Sequence, residues 1–197
     1  MGRGCMEQVW TLAVVSQEMR RRKKEMVVAF LDLKKAFDSV PVGVLLDRLI
    51  GSSMPDHVTR FLSNWLLDHT RDILVRGSTA QRVSHMIKRG VPQGSVLSPI
   101  LFNIFLDDLL RSLEQREDVG GVGVGVTVEM WNGEQARVKS LAYADDIALP
   151  CTSGAELQRV LNFVDEWCTQ NGLQLAPAKC QLLRLGFVGK VTTIDLS

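Results

Sequence analysis

The chain has 197 residues, of which 46% are hydrophobic and 23% are charged, and its formal net charge is +1 at pH 7. This length and composition predict a globular domain with a proper core and exclude a disordered chain. A net charge near zero argues against a dedicated nucleic-acid binder, because such proteins usually carry a strong basic excess. The charge is uneven, however: residues 20–24 are all basic, as in a solvated helix end or a segment that meets phosphates.

The first third of the chain predicts a helix, a strand and two more helices. Residues 5–24 carry apolar side chains at helical spacing, and their basic end suits the last turn, where the helix dipole favours cations. Residues 26–31 are a continuous apolar run rich in β-forming residues, which predicts a buried central strand that ends at Asp32. Helices are predicted next over residues 41–50 and 53–68. The apolar residues that set the spacing of the first helix are Val9, Leu12, Ala13 and Met19.

Two hairpins and a buried helix are predicted in the middle of the chain. Residues 71–75 and 82–87 could pair across a Gly-Ser-Thr turn. The Ser-Pro pair that opens residues 98–113 is a cap signal, and this segment is apolar nearly all round, Ile100 included, which predicts a central helix. A second hairpin is predicted near residues 122–130 and 135–143, with a Trp-Asn-Gly turn between them.

The C-terminal part predicts one more helix and a strand pair. Ser153 and Glu156 form a capping box, and Gly172 ends the helix that it opens. Strands are predicted near residues 173–176 and 180–187. This order of elements predicts an α+β fold, with an antiparallel sheet covered by helices mainly on one face. Because no repeat or linker divides the chain, residues 1–197 are expected to form a single domain. The helical positions predicted to share a buried face are Leu157, Val160, Leu161, Val164, Trp167 and Cys168.

The cysteines and the N-terminus bear on the compartment. Cys5, Cys151, Cys168 and Cys180 show no Cys-x-x-Cys spacing, which argues against zinc and favours buried thiols in an intracellular, reducing compartment. The N-terminus lacks the pattern of a signal peptide, and no run of eighteen apolar residues predicts a membrane span.

Three carboxylates stand out by their surroundings, namely Asp32 at the end of an apolar run and Asp145 with Asp146 between two apolar segments. Desolvating a lone carboxylate is costly, so we expect exposure at a turn, hydrogen bonds or a bound cation. Two strand ends could bring Asp32 and Asp145 to one edge of a sheet, where they would repel each other unless a divalent cation held them. On spacing alone, a polar hairpin turn at Asp145–Asp146 is an equal alternative. The pair Asp107–Asp108 is interpreted as structural.

Hard oxygen ligands without nitrogen or sulfur indicate Mg²⁺ or Mn²⁺. Two such ions, ~3.5–4 Å apart, can clamp the attacking and leaving oxygens of a phosphoryl transfer. Because neighbouring side chains on a strand point to opposite faces, we expect Asp145 to be the ligand and Asp146 a supporting charge.

Three segments of the chain carry motif patterns in a fixed order. They are residues 30–41 (FLDLKKAFDSVP), residues 89–103 (RGVPQGSVLSPILFN) and residues 143–146 (YADD). Together they resemble the first catalytic motif, the second motif and the catalytic box of reverse transcriptases. The QGS variant and the LFN ending are more similar to the LINE-type (non-LTR) retrotransposon branch than to group II intron maturases or retroviral enzymes. Residues 172–180 (GLQLAPAKC) resemble the later motif of the family, and the resemblance covers residues 5–185.

The resemblance implies a polymerase palm with part of the fingers. It also implies RNA-directed DNA synthesis, in which a deoxynucleotide is added to the 3′-hydroxyl of a DNA primer on an RNA template. Asp32 and Asp145 would bind two Mg²⁺ (or Mn²⁺) ions, with Asp146 in support. No association with a membrane is implied. A retroelement origin suggests that the protein acts in the nucleus, for which the basic run at residues 20–24 is the sole sequence signal.

The family also implies roles for four residues outside the acid cluster. Phe37 matches the aromatic residue that packs beneath the sugar and excludes a 2′-hydroxyl, with an ordinary core phenylalanine as the alternative. Gln93 and Gly94 match the segment that lies against the nucleotide and template. Lys179 matches a general acid for the leaving pyrophosphate, with a surface charge as the alternative.

The chain departs from the family pattern at both ends. The upstream fingers are expected to be absent or reduced to residues 1–24, and no thumb is expected after the last motif strand. The second hypothesis is therefore a truncated or co-opted remnant without catalytic activity that binds nucleic acid or protein.

Overall fold

The computed structural model describes residues 4–67, 70–75, 81–86, 89–92, 94–115, 124–129 and 132–186. The chain forms two compact units. We call Met1–Lys34 with Asp107–Ser197 the sheet unit, and Lys35–Leu106 the helical unit. That residues 1–197 form one domain stays a prediction. None of the helices in the described part of the chain combines the length and the hydrophobicity that a membrane span requires.

The helices and strands follow the predicted order. They are α1 (Cys5–Arg21), β1 (Met26–Leu31), α2 (Ala36–Ser39), α3 (Val42–Ile50), α4 (Asp56–Leu67), β2 (Thr70–Val75), β3 (Gln81–Met86), α5 (Ser98–Gln115), β4 (Val126–Glu129), β5 (Gln135–Val138), β6 (Leu141–Tyr143), β7 (Asp146–Cys151), α6 (Gly154–Gln170) and β8 (Gln181–Leu185). Mixed helices and antiparallel strands confirm the predicted α+β class.

The sheet unit is built on a four-stranded antiparallel sheet in the order β6-β7-β1-β8. β1 is central, and Val27, Val28 and Ala29 are fully buried, as its continuous apolar sequence predicted. Side chains alternate between the two faces of a strand, so Met26 and Val28 share one face. There they join Val15 and Met19 of α1 and two valines of β4 in one core cluster.

α6 packs against β1 and β7, and its predicted buried face is confirmed. The hydroxyl of Ser153 accepts the backbone N–H of Glu156, which is the expected cap. The carboxylate of Glu156 is itself buried and accepts hydrogen bonds from Gly125 N–H at 2.7 Å, Thr152 N–H at 2.8 Å and the Thr152 hydroxyl at 2.6 Å. This carboxylate therefore connects the start of β4 to the β7–α6 turn.

The helical unit contains α2, α3 and α4, the β2–β3 hairpin and the start of α5. The hairpin pairs Thr70–Val75 with Gln81–Met86, close to the predicted strands. Arg48 of α3 stacks over the ring of Phe105 with its guanidinium carbon 4.5 Å from the ring centre, and it also donates to the Phe105 carbonyl. Leu45, Leu49 and Phe102 are fully buried.

Three details differ from the sequence predictions. Residues 173–176 form no strand. Leu175 makes only an isolated bridge to Leu33, and β8 pairs with β1 instead. The reason is that a buried central strand must satisfy its backbone groups on both edges, and β8 supplies the second edge. The predicted strand 135–143 is split into β5, which pairs with β4, and β6, which pairs with β7.

The third difference concerns exposure on two helices. In α1, Val9 is 56% exposed and the buried residues are Val15 and Met19, because the N-terminal half of the helix borders an open cavity. In α5, Ile100 is 53% exposed, although Leu101, Phe102, Phe105 and Leu109 are buried as predicted.

The four cysteines are all free thiols. Cys151 and Cys168 are buried, and burial raises the pKa of both thiols, to about 12 for Cys168. These two thiols are therefore unreactive core residues. The prediction of buried thiols is confirmed for this pair and is wrong for Cys5, which is exposed, while Cys180 is half-buried.

Candidate active site

Asp32 lies directly after β1, and its backbone is held by the segment that precedes β8. Its carbonyl accepts the N–H of Ala176 at 2.9 Å, and the N–H of Lys34 donates to the carbonyl of Gln174 at 2.8 Å. Between these two bonds Leu33 bridges to Leu175. The segment over residues 172–180 therefore fixes the backbone that carries the carboxylate of Asp32.

Asp145 lies in the tight turn between β6 and β7, and Asp146 is the first residue of β7. Tyr143 pairs with Asp146 across this turn, and Ala144 takes a left-handed conformation with φ of 53°. Two-residue hairpin turns require such a conformation at one or both central positions. The turn thus presents the two acids at the end of the hairpin.

The strand register decides which acid faces Asp32. Leu31 pairs with Ile147 in the antiparallel β1–β7 pair, so Asp32 comes opposite Asp146 when this register is continued by one residue. Directly opposite residues of an antiparallel pair project to the same face of the sheet. Asp32 and Asp146 therefore share a face, and Asp145 stands in the turn itself.

A cavity of about 380 Å³ opens on this face of the sheet unit. Its polar lining includes Asp32, Asp146 and Lys179, whereas Asp145 is not among the residues that line it. Apolar side chains of α1, β1 and β6 form the remaining walls, with Val9, Leu12, Phe30 and Leu141 among them. Sequence reasoning missed the contribution of α1, because the amphipathic pattern of a helix does not tell a core-facing from a cavity-facing position.

The charges of the cavity are only partly compensated. The Oδ1 atom of Asp32 is buried and accepts no hydrogen bond within the described part of the chain. The ammonium of Lys179 lies 3.5 Å from this oxygen, which is an ion-pair distance. The side chains of Asp32 and Lys179 are 35% and 70% exposed, so solvent screens the pair.

The carboxylates that line the cavity can supply some, but not all, of the oxygen ligands of a hard divalent cation. Among the described residues, no three His, Cys, Asp or Glu side chains come close enough to hold a metal ion on their own. Mg²⁺ in phosphoryl-transfer sites is commonly bound by one or two carboxylates, with water and substrate phosphates as further ligands. Two carboxylates on one cavity, with a buried oxygen on Asp32 that accepts no hydrogen bond within the described residues, meet that requirement.

Phe37 lies in the helical unit, in the short helix α2. Its carbonyl accepts the N–H of Val91 at 2.8 Å, and its ring contacts the ring of Phe102 at a centroid distance of 4.8 Å. Next to Val91, the N–H of Gly90 donates to the carbonyl of Val40 at 2.8 Å. The second motif therefore packs directly on the first, and sequence reasoning missed Val91 and Phe102 as the residues that hold Phe37.

Of the remaining residues singled out from the sequence, all but Gln93 lie in the described part of the chain. Gly94 is exposed and has a φ of +82°, whereas Gln93 lies outside the described residues. Asp107 and Asp108 have structural partners, as predicted. Asp107 pairs with Arg111 at 2.5 Å, and Asp108 accepts the indole N–H of Trp167 at 3.0 Å.

Comparison with solved structures identifies the fold class. Telomerase from Candida tropicalis superposes with a TM-score of 0.67 over 93% of this chain and 33% of the telomerase chain, at 12% sequence identity. At that identity the likeness concerns the fold, which is the mixed helix and antiparallel-sheet fold of reverse transcriptases.

Sequence comparison identifies the family. The profile described as "Reverse transcriptase (RNA-dependent DNA polymerase)" matches residues 1–194, so the chain belongs to this family. It is 31% identical over 193 residues to the Pol polyprotein of the retrotransposable element R2 of Nasonia vitripennis, covering 98% of this chain and 18% of the polyprotein. It is 28% identical to the RNA-directed DNA polymerase of the mobile element jockey of Drosophila funebris, covering 90% of this chain and 18% of that protein.

These relatives confirm the predicted resemblance to LINE-type (non-LTR) retrotransposon polymerases. The chain spans about a fifth of the length of these curated relatives.

Proposed function

We propose that this chain carries the active site of an RNA-directed DNA polymerase, which extends a DNA primer with deoxynucleoside triphosphates along an RNA template. The observation that carries the proposal is the cavity at the end of β1, where Asp32, Asp146 and Lys179 meet in a chain of the reverse transcriptase family. In the reaction, the primer 3′-oxygen forms a bond to the α-phosphorus of the nucleotide. The bond from that phosphorus to the bridging oxygen breaks, and pyrophosphate leaves.

We assign the metal ligands to the acids at the end of the sheet. Asp32 and Asp146 line the cavity, and Asp145 stands in the turn beside Asp146. From the family motif we assign Asp145 as the second ligand, with Asp146 as a supporting charge. Two divalent ions bound there, Mg²⁺ or Mn²⁺, would neutralise the triphosphate and stabilise the attacking and leaving oxygens. The carboxylates also set the charge of the cavity, so that a nucleotide enters as its cation complex rather than as a free polyanion.

We assign proton delivery to Lys179. Its Nζ atom lies at the cavity beside Asp32, and its side chain is exposed enough to reach a departing group. A lysine ammonium placed there would donate the proton that the leaving pyrophosphate takes up.

We assign the selection of the sugar to Phe37 and the contact with nucleotide and template to Gln93 and Gly94. The support for Phe37 is its rigid placement, since its carbonyl and its ring are both engaged. A ring held in this way resists displacement by an additional hydroxyl, because packed interiors yield little. Residues 1–197 would then form a palm with part of the fingers.

The test is primer extension on an RNA template with Mg²⁺, using the chain, Asp32→Asn and Asp145→Asn. Asp107→Asn is the matched control, because Asp107 is an exposed acid with its own partner, Arg111. Extension by the chain and the control, with little or none by the two active-site variants, is the expected result. Equal absence of extension from all four proteins, with circular dichroism showing the same fold, would instead favour a binding remnant.

A further inference from the structure

Lys179 is placed by the same short turn that holds the backbone of Asp32. The N–H of Lys179 donates to the carbonyl of Ala176 at 2.8 Å, while the N–H of Ala176 donates to the carbonyl of Asp32 at 2.9 Å. The two charged residues are thus linked through one intervening residue. Although the lysine side chain is exposed, its starting point beside Asp32 is fixed by backbone bonds.

The carboxylates need a positive charge even before a substrate arrives. Asp32 and Asp146 share one face of the sheet and line the same cavity, so their charges repel each other. The buried Oδ1 of Asp32 has no hydrogen-bond donor within the described chain, and the Lys179 ammonium lies 3.5 Å away. The ammonium therefore supplies the compensation that the backbone does not.

We propose that Lys179 is a displaceable counter-ion, whose ammonium stands in for the catalytic cation beside Asp32 and must move away before a divalent ion binds there. This inference rests on the proposed function and extends it to the metal-free state. The exposure of the pair makes the exchange feasible, because exposed ion pairs are weak and a divalent ion brings twice the charge. Once displaced, the Lys179 ammonium would also be free to donate its proton to the leaving pyrophosphate. Binding of the divalent ion and delivery of the proton would then be coupled.

The test measures Mn²⁺ binding to the folded chain without nucleotide or primer, by electron paramagnetic resonance of the free ion. Lys179→Gln removes the competing charge and is expected to tighten Mn²⁺ binding about two- to fivefold, the range set by an exposed ion pair. Lys179→Arg keeps the charge and is expected to bind Mn²⁺ like the unaltered chain.

The matched control is Lys24→Gln, which removes an exposed lysine before the opposite end of β1. Its Mn²⁺ affinity is expected to equal that of the unaltered chain.

Two results would overturn the inference, and they differ in what they say about the proposed function. If Mn²⁺ binds equally well to the chain and to Lys179→Gln, Lys179 is not a competitor, while the metal site remains. If neither protein binds Mn²⁺, both the counter-ion and the metal-dependent polymerase fail together.

Discussion

In the sheet unit, Asp32 is fixed by its backbone while one of its carboxylate oxygens is left without a hydrogen-bond donor. In the helical unit, Phe37 is fixed both by its backbone and by its ring, which packs on Phe102. The carboxylate oxygen of Asp32 can therefore still gain a favourable interaction with a ligand, whereas the carbonyl and the ring of Phe37 are already engaged. This difference suits the two proposed tasks, because a cation is bound by unsatisfied charge and a sugar is selected by a surface that does not move.

The unsatisfied oxygen of Asp32 is not a general property of the sheet unit. Glu156, buried in the same unit, accepts three hydrogen bonds, from Gly125 and from Thr152. Glu18 accepts hydrogen bonds from Arg21 and Arg22. These two acids, remote from the cavity, are thus satisfied, as structural acids usually are.

The largest expected effect comes from Asp32→Asn. Loss of a metal ligand should reduce primer extension on the order of 1,000-fold, because a catalytic cation supplies several kcal/mol of charge stabilisation. The same change should leave the melting temperature unchanged or raise it, because it removes a charge that repels Asp146. A melting temperature several degrees below that of the unaltered chain, measured by calorimetry, would show that the charge of Asp32 stabilises the fold and would contradict this comparison of the two units.

Phe102→Ala tests the opposite arrangement in the helical unit. Truncating this fully buried ring should cost about 3–5 kcal/mol in the free energy of unfolding, measured with urea.

Phe102→Leu is milder and should weaken the preference for deoxynucleotides over ribonucleotides, because the ring of Phe37 loses its support. Phe105→Leu removes an equally buried ring from the same helix, and equal loss of selectivity in this control would rule out a specific role for Phe102.

Gly90→Ala and Gly94→Ala separate packing from backbone conformation. Both glycines have positive φ, but a Cβ at Gly90 would lie 3.0 Å from backbone atoms of Asp38, whereas a Cβ at Gly94 would meet nothing within 4 Å. We expect Gly90→Ala to cost about 2–3 kcal/mol and Gly94→Ala about 1 kcal/mol in unfolding free energy. Similar costs at the two positions would show that conformation alone sets the penalty.

Ala144→Gly should produce a smaller change in the opposite direction. Ala144 holds a φ of 53° in the turn that presents the acids, a conformation that glycine adopts at lower cost. The substitution should stabilise the chain by about 0.5–1 kcal/mol, measured by thermal unfolding. Destabilisation would mean that the methyl group contributes packing that outweighs its strain.

The smallest effect is expected for Glu18→Gln, and it should depend on pH. Hydrogen bonds from Arg21 and then Arg22 lower the pKa of Glu18 from 4.5 to about 2. Because the pKa of Glu18 is lower in the folded than in the unfolded chain, the ionised carboxylate stabilises the protein at pH values above its ordinary pKa. This stabilisation is lost as the pH falls through the folded-state pKa. The difference in melting temperature between the two proteins should therefore shrink between pH 4.5 and pH 2, and a difference independent of pH would contradict this origin.

The sequence was sufficient for features that depend on local pattern. The apolar run of β1, the cap at Ser153 and the buried face of α6 were all predicted, because each follows from periodicity or from a single turn signal. The three motif segments also predicted the family. Asp32 was proposed from the first of them, and Lys179 from the later motif over residues 172–180.

Features that depend on long-range pairing were not predictable in the same way. The pairing of β8 with β1, rather than with residues 173–176, is decided by which edge of β1 is open. The position of Asp146 opposite Asp32 follows from the register of two strands more than a hundred residues apart, and adjacent acids look alike in sequence. The ring contact of Phe37 with Phe102 likewise joins residues that no local pattern connects.

The central position of β1 has a consequence for biosynthesis. Its partners β7 and β8 end at Cys151 and Leu185, so a ribosome must add more than a hundred residues before either edge of β1 is covered. An apolar segment left unpaired for so long invites aggregation, and flanking charges reduce that hazard. The basic residues at 20–24 on one side, and Asp32, Lys34 and Lys35 on the other, are the charges that flank this segment.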